Sequence, residues 1–421
     1  MTVAFDLMMG VSVFLSSACA GQNELIDSTY AGQDKLSLRV ALFPYLPGAD
    51  AQNEALRVRL ESEFEALHRD VDLDLRRFDP NEDFYDPLFV GNLLRGADAY
   101  DIVEVDTVLL GALLDMEAIS AWTGNLTRND WNPIAAEAGR VDGRIYGVPH
   151  WMCGHFIMTQ SQVVAHARTL DELILELEGV NSHTRNLAGD LLGSWNTAAL
   201  YLDAWADTRS EAPQVALGMP LDTNVVTCLV RLAGQGNFEG RNPCIDGTYK
   251  KAPALAAEEF GTGHADALLG YLERLYYATA YLDPAKILIA SAPLGDGSDP
   301  LWFVDSLVYR NDQDDEDPQA IAAKRSAARQ FVDYLSAPST FGWIHAGEDI
   351  GPGSRRRYLI PATNSAMTAT GIVNDPVMQQ LRPMLTRGTS FPRNQLPGTR
   401  RAISAKVQAA WSQATQPPAQ K

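Results

Sequence analysis

The stretch Gly143-Arg144-Ile145-Tyr146-Gly147-Val148-Pro149 runs directly into His150-Trp151-Met152-Cys153-Gly154-His155-Phe156. Two glycines set four residues apart suit a hairpin turn and a close backbone approach. Ile145 to Val148 and Phe156 to Met158 read as short strands on either side of an isolated cysteine. A free cysteine is most often a small buried hydrophobe. Cys153 therefore needs its neighbourhood before it can be given a role.

Working back toward the N-terminus, Leu36 to Phe43 alternates as a strand and ends in the turn Pro44-Tyr45-Leu46-Pro47-Gly48. Asn53 to His68 comes next as an amphipathic helix with Leu56, Leu60, Phe64 and Leu67 on one stripe. Val71 to Leu75 and Ile102 to Asp106 are strands, and Val108 to Met116 is helical. Strand, helix, strand, helix, strand is the pattern of a parallel sheet flanked by helices. Toward the C-terminus, Thr169 and Glu172 form a capping-box arrangement at a helix start. Helices are expected at Thr197–Ala206, Val225–Ala233, Pro318–Leu335, Pro376–Leu385 and Ile403–Trp411. Strands are expected at Lys286–Ala290, Trp302–Tyr309 and Tyr358–Ile360, with a frayed tail from Gln416.

The chain has 421 residues, 34 basic against 53 acidic, for a net charge of −19. Such a field repels phosphate backbones and anionic lipid, so nucleic-acid partners are not expected. It suits a cationic ligand, although an acidic surface also serves plain solubility. The apolar run Leu7 to Leu15 is too short to span a bilayer. Ser16-Ser17-Ala18-Cys19-Ala20 comes after it in the manner of a signal cleavage site or a loose lipoprotein signal. Asp6 and the lack of a basic residue before the run leave a misplaced start or a buried strand as alternatives. Export is the expectation, to the periplasm, the cell surface or the medium. Cys228 and Cys244 flank a Gly/Asn-rich loop. They are either free thiols or, in an oxidising compartment, a bond contributing about 3 kcal/mol.

Several chemistries are absent. The acidic run Asp312 to Asp317 lacks the glycine that an EF-hand turn needs. It reads as a solvated loop capping the helix after it. The seven histidines show no metal-ligand spacing. There is no phosphate-binding glycine motif and no nucleophile-elbow serine. Neither a metal nor an organic cofactor is expected.

Gly143 to Pro149 resembles the Gly-x-x-Tyr-Gly-[Val/Leu]-Pro segment of periplasmic solute-binding proteins, which leads into the hinge between two lobes. The resemblance implies a two-lobed α/β fold of the periplasmic-binding-protein (type II) kind. Each lobe would be a mostly parallel sheet flanked by helices, with the ligand cleft between lobes. Residues 1–34 would be signal and tether, 35–154 with 301–365 one lobe, and 155–300 with 366–415 the other. Carried on through Cys153, the segment looks like the Tyr-Gly-[Leu/Val]-Pro-x-x-x-Cys of the thiaminase I family, in which the cysteine is the nucleophile. Phe43-Pro44-Tyr45-Leu46-Pro47 resembles that family's Tyr-Pro-Tyr-x-Pro. Asp101 to Asp106 resembles its Asp-x-x-x-x-Asp strand, whose second carboxylate enters the cleft. Gly270-Tyr271-Leu272-Glu273 resembles its Gly-Tyr-Ser-Glu, whose glutamate is the base, with Leu272 in place of serine. Phe303-Val304-Asp305 resembles the strand that sets another carboxylate against the substrate.

The resemblance implies that Glu273 deprotonates Cys153, whose thiolate adds to the pyrimidine ring of thiamine. The thiazole then leaves, and a pyridine, aromatic amine or thiol captures the methylene as Cys153 is expelled. The partners implied are thiamine and this small co-substrate, bound by a monomer. A cysteine attacks as thiolate and needs a base in reach. Glu273 would need burial among apolar neighbours to serve; otherwise it is an exposed residue paired with a cation. His155 is the second candidate base, since in an extended segment it shares the face of Cys153 while His150 faces away. Asp106 and Asp305 at strand ends suit either a cationic ligand or a helix cap. Tyr45, Tyr271, Trp151 and Trp302 could stack on a ring, and Tyr45 and Tyr271 are the residues chosen. The rivals to an enzyme are a solute-binding lipoprotein with the same fold and a structural surface protein with Cys153 merely buried.

Overall fold

A computed structural model describes residues 35–48, 53–79, 82–123, 130–180, 184–209, 211–218, 220–312, 316–351, 353–392 and 396–414. The expected signal and tether, the middle of the acidic loop and the C-terminal tail lie outside these residues. From Leu36 onward the described residues belong to one compact unit.

Fourteen strands are present among the described residues. They are β1 (Leu36–Ala41), β2 (Val71–Leu75), β3 (Ile102–Asp106), β4 (Ile119–Ser120), β5 (Arg140–Val141), β6 (Arg144–Ile145) and β7 (Gly147–Cys153). Then come β8 (Phe156–Thr159), β9 (Arg185–Ala188), β10 (Ala265–Gly270), β11 (Leu288–Ser291), β12 (Leu301–Arg310), β13 (Ile360–Pro361) and β14 (Thr389–Ser390). An eight-stranded sheet runs β13-β7-β12-β3-β1-β2, with β14 and β4 also on β12. A four-stranded sheet runs β11-β8-β10-β9. Helices flank both sheets, as a two-lobed α/β fold requires.

The pairing is mixed where mostly parallel sheets were expected. β1 pairs with β2 and β3 in parallel. β12 is antiparallel to both β3 and β7, and β8 is antiparallel to β10 and β11. The direction of a strand depends on which side its connection returns, and no local pattern encodes that. Every residue of β12 is buried, as in a strand covered on both faces, so the alternation expected there is not seen as alternating exposure.

The segment from Gly143 folds as its glycines suggest. Asp142 (φ 49°) and Gly143 (φ 77°) are the two central residues of the β5–β6 hairpin, the left-handed pair that a tight primed turn requires. Gly147 is a close approach, because a Cβ there would lie 2.8 Å from the Ser306 Cβ on β12. At the capping box, the Thr169 hydroxyl accepts from Glu172 N–H at 3.2 Å. The Glu172 carboxylate reaches back to Arg168 N–H at 2.7 Å, one residue before the expected partner.

Cys228 and Cys244 are free. The Cys244 thiol is buried and donates to the Leu187 carbonyl at 3.5 Å, while Cys228 bonds Thr208. The two sulfurs serve different neighbours, and no disulfide joins them. No helix among the described residues is long and apolar enough to cross a membrane.

Candidate active site

β1, β3 and β7 point the same way in the larger sheet, and each presents chemical groups at or just past its last residue. Phe43 and Tyr45 come just beyond β1, Asp106 closes β3, and Cys153 closes β7. Asp305 stands opposite Asp106 on one side and Trp151 on the other. Phe303 stands opposite Cys153. Residues two apart on a strand share a face, so Trp151, Cys153, Phe303, Asp305 and Asp106 all face the same way. The smaller sheet answers from across the cleft. β10 ends at Gly270, and Tyr271 leads into the short 3₁₀ helix Leu272–Arg274. Ligand sites in open α/β sheets lie at such strand ends.

These elements enclose a cavity of about 280 Å³. Tyr45, Asp106, Cys153, Tyr271, Glu273 and Asp305, the six residues singled out from the sequence, all line it. Trp151, Tyr85, Trp195, Asn196, Phe303 and Arg274 line it too. Trp302 does not; it is fully buried and its indole N–H donates to the Arg387 carbonyl at 2.8 Å. Tyr45 stands at the rim, 48% exposed, with its hydroxyl donating to the Glu82 carbonyl. The Tyr271 phenol oxygen is buried without a hydrogen-bond partner among the described residues.

Buried acidic groups dominate the electrostatics of the cavity. Asp106 and Asp305 are buried and stand directly opposite each other. Burial pushes the Asp106 carboxyl up to about 7, against the opposing pull of the Val108 N–H that it accepts at 3.0 Å. That bond caps the short helix Thr107–Leu109, so Asp106 both caps and faces the cavity. Burial raises Asp305 well above the ordinary carboxylate range, reinforced by Asp106, Glu104 and Glu273. Glu273 is half-buried and also raised by burial, with Arg274 drawing it back. Cys153 is raised well above a free thiol, first by burial and then by the charges of Glu273, Asp305, Asp106 and Glu104. At neutral pH the cavity therefore keeps its thiol and some of its carboxyls protonated. A cation entering it would favour the charged form of every one of them.

Neither histidine lines the cavity with Cys153. The ladder between β7 and β12 slips, so that Trp151 opposes Asp305 while Pro149 opposes Ser306. His150 is the extra residue of this bulge, which re-aims a side chain. Its Nδ1 lies 2.5 Å from Glu104 Oε1 instead of facing away from the strand-end side chains. His155, the second candidate base, is turned to Asp203 at 2.8 Å and stacks behind Tyr271. The chain leaves β7 after Cys153, so the two-residue face rule stops applying there.

Tyr85 and Trp195 were not anticipated. Their rings stack at 4.0 Å. The Tyr85 phenol is raised by burial and by Asp106 and Asp305. The available signal for Tyr85 was Phe84-Tyr85 standing in the loop beyond a strand end. Leu272, at the position where the thiaminase I segment has serine, is fully buried.

The architecture has solved counterparts. Thiaminase I from Bacillus thiaminolyticus matches over 90% of this chain and 100% of its own, with a TM-score of 0.67 and 17% identity. The two-lobed fold is shared. Clostridium botulinum thiaminase I in complex with thiamin matches over the same shares, with a TM-score of 0.68 and 17% identity. Maltose-bound T. maritima MalE3 matches over 90% of this chain and 95% of its own, with a TM-score of 0.66 and 15% identity. At such identities the likeness is one of fold, shared by an enzyme and by a sugar receptor. No protein-family model matches the chain, and no curated protein does.

Proposed function

We propose that this chain cleaves thiamine, transferring its pyrimidylmethyl group from the thiazole to a small nucleophile through a Cys153 adduct. One observation carries the reading: a half-buried cysteine shares a cavity with Glu273 and with the opposed carboxylates Asp106 and Asp305. A plain receptor has no use for a thiol there. The carboxylates suit the aminopyrimidine and the cationic thiazolium, and the rings of Tyr45, Tyr271 and Tyr85 suit its faces.

The chemistry follows from the charges. Thiamine brings a fixed positive charge into a site whose thiol is held protonated by surrounding carboxylates. Its arrival lowers the cost of the thiolate, and Glu273 takes the proton. The thiolate adds to the pyrimidine ring carbon and the thiazole departs neutral. A pyridine, aromatic amine or thiol then bonds to the methylene as the Cys153–carbon bond breaks. Closure of the two lobes, divided as the sequence suggests, holds the reactants in register. The protein works as an exported monomer.

The second reading is a non-catalytic solute receptor, favoured by the equally good superposition on a maltose receptor. Incubation with thiamine and pyridine, followed by detection of free thiazole, separates the two. We expect turnover that falls by about 10²–10³-fold in Cys153→Ser and in Glu273→Gln. One tight thiamine per chain with no thiazole released, from wild type and variants alike across several nucleophiles, makes it a receptor.

A further inference from the structure

His155 and Asp203 form a buried couple that the chemistry above does not use. His155 Nδ1 and Asp203 Oδ2 are 2.8 Å apart, and both residues are almost wholly buried, at 4% and 2% exposure. Asp203 lies two turns along the helix Asn196–Thr208, whose first residue lines the cavity. Its carboxylate also accepts a backbone hydrogen bond from Leu301, the first residue of β12. One buried side chain thus ties together a helix of the cleft wall, the start of β12 and the segment just after Cys153.

The imidazole continues the chain of contacts. It stacks on Tyr271 with centroids 5.0 Å apart and planes 26° from parallel. Phe303 stands nearly perpendicular to both rings, with centroids 5.8 Å from His155 and 5.6 Å from Tyr271. Phe303 is the register partner of Cys153, and Tyr271 stands two residues before Glu273. The His155 carbonyl accepts from Ala292 N–H at 3.0 Å, which fixes the backbone as well. Strand pairing and ring packing thus link Cys153, Phe303, His155 and Tyr271, with Glu273 two residues further along the chain. The chain switches from the larger sheet to the smaller between Cys153 and Phe156.

We propose that Asp203 and His155 are positioning residues, holding the Tyr271–Glu273 segment at the distance from Cys153 that proton transfer requires. This deepens the thiamine-cleaving reading and rests on it for the role of Glu273. His155 does not touch the reacting atoms. It supports the ring behind which it stacks, and Asp203 fixes the orientation of the imidazole, as a carboxylate behind a histidine does. Loss of the couple lets the base drift, and small misplacements are expensive for a proton transfer.

The test uses Asp203→Ala, Asp203→Asn and His155→Phe in the full chain. Iodoacetamide labelling is located on Cys153 by mass spectrometry, because Cys228 and Cys244 are also free. In Asp203→Ala and His155→Phe, labelling of Cys153 slows by about fivefold or more, since the base is no longer held in reach. Their kcat for thiamine falls by about tenfold or more while KM rises by less, because Tyr271 is loosened but Asp106 and Asp305 are untouched. Asp203→Asn, which keeps the side-chain shape but has one acceptor oxygen in place of two, falls between wild type and Asp203→Ala. If Asp203→Ala does not fold, His155→Phe decides, since its ring fills the space of the imidazole but is not oriented by a bond to Asp203. Folded Asp203→Ala and His155→Phe proteins that label Cys153 at the wild-type rate overturn the proposal. A wild-type protein that does not cleave thiamine sinks the functional reading alone, and the labelling ratios still decide this one.

Discussion

Asp106 and Asp305 face each other across neighbouring strands, with no basic side chain bonded to either among the described residues. Like charges directly opposite on a sheet are destabilising, and burial adds to the cost. The arrangement therefore costs the folded state stability. Its pH dependence has a definite sign. Asp106 titrates near 4 unfolded and about 7 folded, so the native state binds the extra proton between those values. Stability contributed by this group is complete at acid pH and is lost as pH rises through about 7. Asp106→Asn removes the penalty and keeps the oxygen that accepts from Val108. The variant should be more stable than wild type at pH 8, by up to about 4 kcal/mol, and nearly equal to it at pH 4. Thermal unfolding at the two pH values checks this, and equal melting shifts at both would contradict it. The residue types were readable in advance, because Asp106 and Asp305 fall at expected strand ends. That they stand opposite one another was not readable, since it depends on β12 running antiparallel to β3.

At the scale of elements, β7 is where local pattern and tertiary demand meet. Gly143 serves the hairpin, Gly147 lets β7 pass Ser306, and the bulge at His150 shifts the register before Cys153 is reached. Gly147→Ala pushes a methyl to 2.8 Å from the Ser306 Cβ, and the two strands must separate to admit it. We expect a loss of about 1–3 kcal/mol, read as a lower denaturant midpoint, with Cys153 displaced from Phe303 and reduced turnover. Gly147→Ala combined with Ser306→Gly should recover much of both. The two glycines announced the turn and the close approach, because glycine is favoured where a side chain cannot fit. The bulge had no such mark. It arises from pairing with a strand some 150 residues away, and it is why the expected direction of His150 was wrong. His155 failed as a base for a related reason: face alternation holds only within a strand, and it lies past the end of one.

The whole molecule carries a net charge of −19, and its cleft concentrates four of those carboxylates around one sulfur. Such a field draws cations in and is screened by salt. Raising the ionic strength from about 0.05 to about 0.5 M should raise the KM for thiamine by about threefold or more, while leaving that for neutral pyridine unchanged. Equal effects on both would mean that the field has no part in capture. The sequence by itself determined the α/β class, the main helices, the turn chemistry around Gly143 and which residue types could act, because periodicity, capping and glycine preference are local properties. Only the tertiary structure decided the strand directions, the free state of Cys228 and Cys244, and the convergence of Tyr45, Cys153, Tyr271 and Asp305 on one cavity. Those depend on contacts between residues far apart in the chain, and a one-dimensional pattern carries no record of which distant strand will lie beside it.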